Sequence, residues 1–229
     1  MKKLLCLLGA ITTSPLFAGQ MGEINTVPQH LTYVFIGGGY YSGIYQKLDA
    51  DYEAGVLDSM GTYNLNTSNG YGQIGIGTEA HIDTFVFDHQ VSVIKLGGAK
   101  TFYSPHSSNS LKQEIDFGYD FMPKMNIVKQ LYAYGILGAH YARFKYEKNP
   151  LTAPGIVFNS AKDQIGFNLG AGLNYQINPN IIVGVKYQHL QYSTVKIRGS
   201  SDALHGIDAE QFTPAFNLIG ADLRYYWDN

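Results

Sequence analysis

The sequence predicts an all-β fold: a closed antiparallel transmembrane β-barrel of about eight strands. Three observations predict it. Apolar residues recur at every second position through most of the chain, the period of a strand rather than a helix. An export signal opens the chain, yet nothing after it approaches the ~18 consecutive apolar residues of a membrane helix. Charged residues make up 15% of the sequence, against about 25% in ordinary soluble domains, while glycine and tyrosine are abundant.

The N-terminus comes first. Lys2 and Lys3 form a charged segment, Leu4 to Ile11 an apolar run, and Pro15 with Ala18-Gly19 a small-residue site. That order matches a secretory signal peptide over residues 1–18, with cleavage after Ala18. Cys6, the sole cysteine, lies inside it. The mature chain, residues 19–229, is then a single barrel domain without a disulfide, thiolate nucleophile or thiolate metal site.

Eight segments carry the strand pattern. The cleanest is Ile165–Ile177, where Ile165, Phe167, Leu169, Ala171, Leu173, Tyr175 and Ile177 alternate with Gly166, Asn168, Gly170, Gly172, Asn174 and Gln176. Glu114–Phe121, Ile181–Gln188 and Ile219–Trp227 alternate in the same way. Less regular segments are Leu31–Ile44, Gly70–His81, His89–Tyr103 and Ile127–Lys145. In the last, Tyr132 and Tyr134 compete with Leu131, Ala133 and Leu137, and the pattern leaves the lipid face open. Long polar connections are expected at Tyr45–Asn69, Ser104–Leu111, Tyr146–Asp163 and Lys196–Gln211. Short ones are expected at Ile82–Asp88, Pro123–Asn126 and Asn178–Asn180. Long and short alternate, as they do when one end of a barrel faces the medium and the other the periplasm. An even strand count puts both termini on the periplasmic side.

A soluble barrel has the same period, so the polar face decides between the two. It holds mostly Gly, Asn and Gln, which suits a narrow lumen rather than a wet exterior. Tyr175, Tyr187, Tyr225 and Trp227 near segment ends suit interfacial girdles.

The first-strand text Tyr33-Val34-Phe35-Ile36-Gly37-Gly38-Gly39-Tyr40-Tyr41 and the last strand Leu218–Trp227 carry a resemblance. They are similar to the small bacterial outer-membrane β-barrel family that includes the transmembrane domain of outer-membrane protein A. The resemblance implies a Gram-negative outer-membrane location and a porin-like or cell-surface barrel. Such barrels usually end on an aromatic residue, whereas Asp228 and Asn229 follow Trp227 here.

Four groups of residues invite chemistry. Gly37-Gly38-Gly39-Tyr40-Tyr41-Ser42-Gly43 looks like a loose dinucleotide turn but lacks the βαβ context; glycines lining a narrow lumen are the better reading. His106-Ser107-Ser108-Asn109 resembles the His-any-Ser-Asn stretch of outer-membrane lipid A deacylases, in a stretch otherwise typical of a solvated loop. Glu114, Asp116 and Asp120 on one face, with Asp222, Lys186 and Arg224, are expected to form a structural ion-pair network that plugs the lumen. Asp49, Asp51, Glu53 and Asp58 make the first loop acidic without an EF-hand pattern. The histidines show no metal-ligand spacing.

No catalytic residue, metal site or cofactor is therefore assigned, and the chain is expected not to be an enzyme. A formal charge of −2 gives no case for nucleic-acid binding. The expected partners are outer-membrane lipid and lipopolysaccharide, with an extracellular ligand on the loops, and the expected state is a monomer. A structural or surface-interaction role leads; a lipid-modifying enzyme and a narrow channel for small molecules are the alternatives.

Overall fold

The computed structural model describes residues 29–53, 56–82, 85–104, 107–150, 158–198 and 209–227, with side chains placed over 31–46, 64–81, 86–101, 110–147, 159–196 and 211–227. The signal segment, His106 and Asp58's side chain lie outside them, as do the side chains of Asp49, Asp51, Glu53, Ser107, Ser108 and Asn109.

The elements in chain order are β1 (Gln29–Glu53), β2 (Val56–Ile82), β3 (Phe85–Leu96), β4 (Lys100–Ser104), β5 (Ser107–Val128), β6 (Leu131–Pro150), β7 (Phe158–Asn178), β8 (Ile181–Tyr192), β9 (Val195–Arg198) and β10 (Ala209–Trp227). Every pairing is antiparallel, and each strand joins the next around a ring: β1-β2-β3-β5-β6-β7-β8-β10. β10 then pairs back with β1 from Thr32↔Trp227 to Ala50↔Ala209, which closes the wall. Closure is what lipid demands, because a free edge would leave backbone N–H and C=O groups without partners. β4 and β9 continue β3 and β8 upward after short breaks. The first break falls at Gly97–Ala99, where Gly98 has φ of 73°, a left-handed conformation open to glycine without strain.

The wall sorts its side chains by parity. Along β7, Ile165, Phe167, Leu169, Leu173, Tyr175 and Ile177 face outward, while Asn168 and Asn174 are buried inside. On β8, Val183 and Val185 point out; Ile182, Lys186, Gln188, Leu190 and Tyr192 point in. Isoleucines 65%, 63% and 62% exposed (Ile165, Ile219 and Ile36) form part of an outer apolar belt. Each such side chain forgoes about 1.5–3 kcal/mol if it faces water instead of an apolar phase, so the belt fits a bilayer. The open question on β6 is settled: Tyr134, Ile136, His140, Ala142, Phe144 and Tyr146 turn inward, and Leu137, Ala139 and Arg143 face out.

Several expectations about element ends are corrected: residues 85–88, 107–111, 146–150, 158–163, 196–198 and 209–211, expected in connections, are strand. Tyr45–Asn69 is not a loop: β1 and β2 stay paired up to Glu53↔Val56, so the segment is the upper part of a hairpin. The turn expected at Pro123–Asn126 falls at Lys129–Gln130 instead. β5 passes straight through Pro123, which pairs with Phe87 on β3, while the ladder to β6 skips Met122 and Pro123. A proline has no N–H to give one neighbour but can still accept on the other. Tyr187 lies halfway along β8 rather than near an end, because the strand continues past Gln188 to Tyr192.

The turns between β2 and β3, β5 and β6, and β7 and β8 sit at the end that also holds Gln29 and Trp227. The long hairpin arms rise from the opposite end. In barrels of this kind the end with short turns is periplasmic and the other extracellular.

Candidate functional site

The lumen of the periplasmic half is built from charges. Lys124 on β5 sits between Glu79 of β2, with which it pairs directly, and Asp88 of β3 at 2.8 Å. Arg224 on β10 reaches Asp88 through Nη1 and Asp222 through Nε, both at 2.8 Å. The hydroxyl of Tyr33 donates to Asp88 Oδ1 at 2.7 Å, and that of Tyr226 donates to Glu79. Lys186 of β8 donates to Gln73 Oε1 at 2.6 Å and lies 5.5 Å from the centre of the Phe35 ring. Lys124 and Arg224 thus bridge Glu79, Asp88 and Asp222, and Lys186, held on an amide oxygen, brings the three cations level in number with the three carboxylates. Buried charges demand this, since an unpaired one costs several kcal/mol.

A second network lies above it. The His140 ring of β6 bridges Asp116 Oδ1 at 3.0 Å and Asp120 Oδ1 at 3.2 Å, both on β5. Gln90 and Asn168 donate to Asp120 at 3.1 and 2.7 Å. Gln113 donates to Asp116 at 3.1 Å, and the Tyr192 hydroxyl donates to the same carboxylate. Opposite His140 stands Gly118, where a Cβ would run into the imidazole ring. Gly75 and Gly77 stand in the same way beneath the rings of Phe35 and Tyr33. Inward glycines are therefore the sockets for the large side chains that cross the lumen.

Above both networks the lumen turns apolar. Tyr41, Tyr45, Phe144, Tyr146, Phe212 and Phe216 belong to one buried cluster. Phe144 stacks on Phe216 with ring centres 6.5 Å apart, and Tyr146 meets Phe212 at 5.7 Å. These contacts span the barrel from β6 to β10.

At this level the wall itself divides. The amide of Gly97 donates to Gly70 O at 2.8 Å, and that of Ser193 to Ile165 O at 3.0 Å. Beyond those bonds β4 pairs only with β5, and β9 only with β10. The upper part of β2 pairs only with β1, and the upper part of β7 only with β6. Among the described residues, the extracellular part is thus two sheets, β9-β10-β1-β2 and β4-β5-β6-β7, closed over the aromatic cluster. Their slits lie on opposite sides of the ring, and each leaves strand edges unpaired.

Of the residues singled out from the sequence, Asp116, Asp120, Lys186, Asp222 and Arg224 all enter the lumen and are buried. Glu114 does not join them. A β-bulge between Gln113 and Ile115 shifts the register, so Gln113 and Asp116 both point inward and Glu114 is the extra residue. Its backbone carbonyl accepts from Lys95 Nζ at 2.6 Å on the outer wall. Missed in the sequence were Glu79, Asp88, Lys124 and His140, all on strands with irregular alternation or in a segment read as a turn. Gly37–Gly43 belongs to β1 and pairs with β10 on one side and β2 on the other. Ser107–Asn109 lies on β5, with Ser108 opposite Tyr103 and Asn149. Among the described residues no three histidine, cysteine or carboxylate side chains are grouped to hold a metal.

Solved structures share this architecture. The outer membrane protein OprG from Pseudomonas aeruginosa is 14% identical, with 86% of this chain and 96% of that chain covered and a TM-score of 0.55. A major outer membrane protein from Thermus thermophilus is 11% identical, with coverage of 87% and 100% and a TM-score of 0.52. At such identities the likeness shows the fold alone. A comparison with curated protein sequences finds no match. The model of the outer membrane protein beta-barrel domain matches residues 29–218. With its closed eight-strand ring, lipid-facing belt and matched domain, this chain belongs to the outer-membrane β-barrel family and resides in the bacterial outer membrane.

Proposed function

We propose that the protein is a non-conducting, non-enzymatic surface barrel that acts through its extracellular strand extensions. The observation that carries this is the contrast along the barrel axis. Two polar networks and an aromatic cluster fill the lumen, while above them β1 and β2 outrun the closed wall and four strand edges stand unpaired. Unpaired edges are templates for pairing with another chain, so the upper sheets have the means to bind and the lumen lacks the means to conduct. Within this reading the barrel works as a monomer, residues 1–18 are removed on export, and no cofactor takes part.

The test uses cells displaying the full chain or a variant in which Lys47–Tyr63 is replaced by Asn-Gly. Gln46 and Asn64 are cross-strand partners, so a tight turn joins them without moving the wall. Adherence to cultured epithelial monolayers is expected to fall to the empty-vector level in the variant. Full-length cells that adhere no better than the vector, or purified protein that gives steady conductance in planar bilayers, would overturn the reading.

A further inference from the structure

The slit between β2 and β4 begins at a rung that the backbone leaves half made. The last pair of the β2–β3 ladder is Tyr71↔Leu96. One step above it, the amide of Gly97 donates to Gly70 O at 2.8 Å. In an antiparallel strand the N–H and C=O of one residue point to the same neighbour, so the N–H of Gly70 also faces the slit. Its partner in a continued ladder is the carbonyl of Gly97, but that carbonyl accepts the hydroxyl of Tyr41 at 2.6 Å. The N–H of Gly70 donates instead to Oδ1 of the residue before it, Asn69, at 2.7 Å. Two side chains thus cap the backbone groups at the point where the wall divides.

Asn69 and Gly70 are both exposed, and theirs is the only Asn-Gly step in the chain. An asparagine in a strand is ordinarily protected in three ways: the next amide is tied into a ladder, the next residue shields that nitrogen with its side chain, and neighbours crowd the carboxamide. Here the Gly70 amide lies outside the ladder and the residue carries no side chain. The carboxamide itself borders two more glycines: a Cβ on Gly98 would stand 2.7 Å from Asn69 Nδ2, and one on Gly97 3.4 Å from its Cγ. Asn66 and Asn159 are exposed as well, but they precede Thr67 and Ser160.

We propose that Asn69 is a site of spontaneous deamidation through a cyclic imide formed with Gly70. The Gly70 amide nitrogen gives its proton to water or hydroxide and attacks Cγ of Asn69. The new N–Cγ bond forms as the Cγ–Nδ2 bond breaks, and the carboxamide nitrogen leaves as ammonia. Water then opens the ring. Hydrolysis of the N–Cγ bond gives aspartate; hydrolysis at the backbone carbonyl of residue 69 gives isoaspartate, in which the chain runs through the side chain. Aspartate keeps an oxygen for the Gly70 N–H and adds a charge at the foot of the slit. Isoaspartate inserts one main-chain carbon opposite Tyr41, so the upper part of β2 falls out of step with β1 while the closed wall below stays paired. The site rests on the geometry of the slit and not on the adhesive role of the strand extensions.

The test incubates the exported, folded protein in detergent at neutral and at alkaline pH, with G70A beside the wild type, and follows residue 69 by peptide mass spectrometry. A Cβ on Gly70 meets only Gly39 O, at 3.6 Å, so alanine fits the fold while hindering the nitrogen, and heat-modifiability on gels confirms that G70A is folded. Wild type is expected to accumulate both aspartate and isoaspartate at residue 69, faster at the alkaline pH, while Asn66 and Asn159 stay intact. G70A should convert several-fold more slowly. Wild type that converts no faster than G70A, conversion indifferent to pH, aspartate without isoaspartate, or equal conversion at Asn66 would each overturn the proposal.

Discussion

Arg224 illustrates how a single residue holds this lumen. It is wholly buried, and its guanidinium bonds Asp88 and Asp222 through different nitrogens. Replacing it by methionine strands an excess of negative charge in a medium that solvates charge poorly. The expected loss is about 3–5 kcal/mol, the usual cost of removing one member of a buried ion pair. A guanidinium titration of the protein in lipid vesicles, followed through Trp227 as the sole tryptophan, measures it. R224M/D222L should recover most of the loss, because Asp88 keeps Lys124 at 2.8 Å and the charges balance again. Equal instability of the single and double variants would show that shape, not charge, governs the site. Glycines give a second residue-scale contrast. A Cβ at Gly118 meets the His140 ring, whereas one at Gly72 meets nothing within 4 Å. Gly118→Ala should therefore cost about 1–3 kcal/mol by overpacking, and Gly72→Ala should leave the midpoint of the same titration unchanged.

Elements differ in how far the barrel depends on them. β10 pairs with β8, β9 and β1, so it closes the ring. Deleting Gly220–Asn229 removes Asp222, Arg224 and Tyr226 from the lumen and leaves β1 and β8 with open edges in lipid, each unpaired group costing several kcal/mol. No heat-modifiable species should then appear in isolated outer membranes. The upper β1–β2 hairpin is different, since it rises above the level at which the wall divides. Exchanging Lys47–Tyr63 for Asn-Gly should leave heat-modifiability intact, because loop length changes closure entropy only slowly. The cut must spare Tyr45 and Leu65, which pack in the aromatic cluster. If this excision alone prevents folding, the hairpin is part of the barrel and not an extension of it.

At the scale of the whole molecule, the barrel is layered along its axis: ion pairs near the periplasm, a carboxylate–histidine network above, then aromatic packing under two divided sheets. These layers of buried side chains, which cross the lumen from wall to wall, are the basis for expecting no conductance. The absence of any thiol in residues 19–229 means that stability comes from closure and packing, and reducing agents should not alter the migration of the folded form. An unboiled sample should migrate differently from a boiled one, with or without dithiothreitol. A shift on reduction alone would contradict a thiol-free mature chain and place the signal cleavage elsewhere. Intact mass of the exported protein, expected to begin at Gly19, decides that point directly.

The sequence by itself determined the architecture, because a strand between two media must alternate with period two, and that pattern is local. Ile165–Ile177, Ile181–Gln188 and Ile219–Trp227 each carry their inside and outside in their own residues. The polar face, mostly Gly, Asn and Gln, and the aromatic positions near segment ends then selected a membrane barrel over a soluble one. Only the tertiary structure decided the rest. The bulge at Glu114 inverts parity within one strand, so which acid enters the lumen depends on pairing with β6. Pro123 continues β5 because its neighbours on β3 supply the ladder that it cannot offer to β6. Lys124, Glu79 and Asp88 come from separate strands, and their partnership exists only once the ring closes. The division of the upper wall, and the release of the Gly70 amide from the ladder at its start, are likewise matters of register between strands. Alternation along one strand says which side faces in, but not which residue of another strand stands beside it.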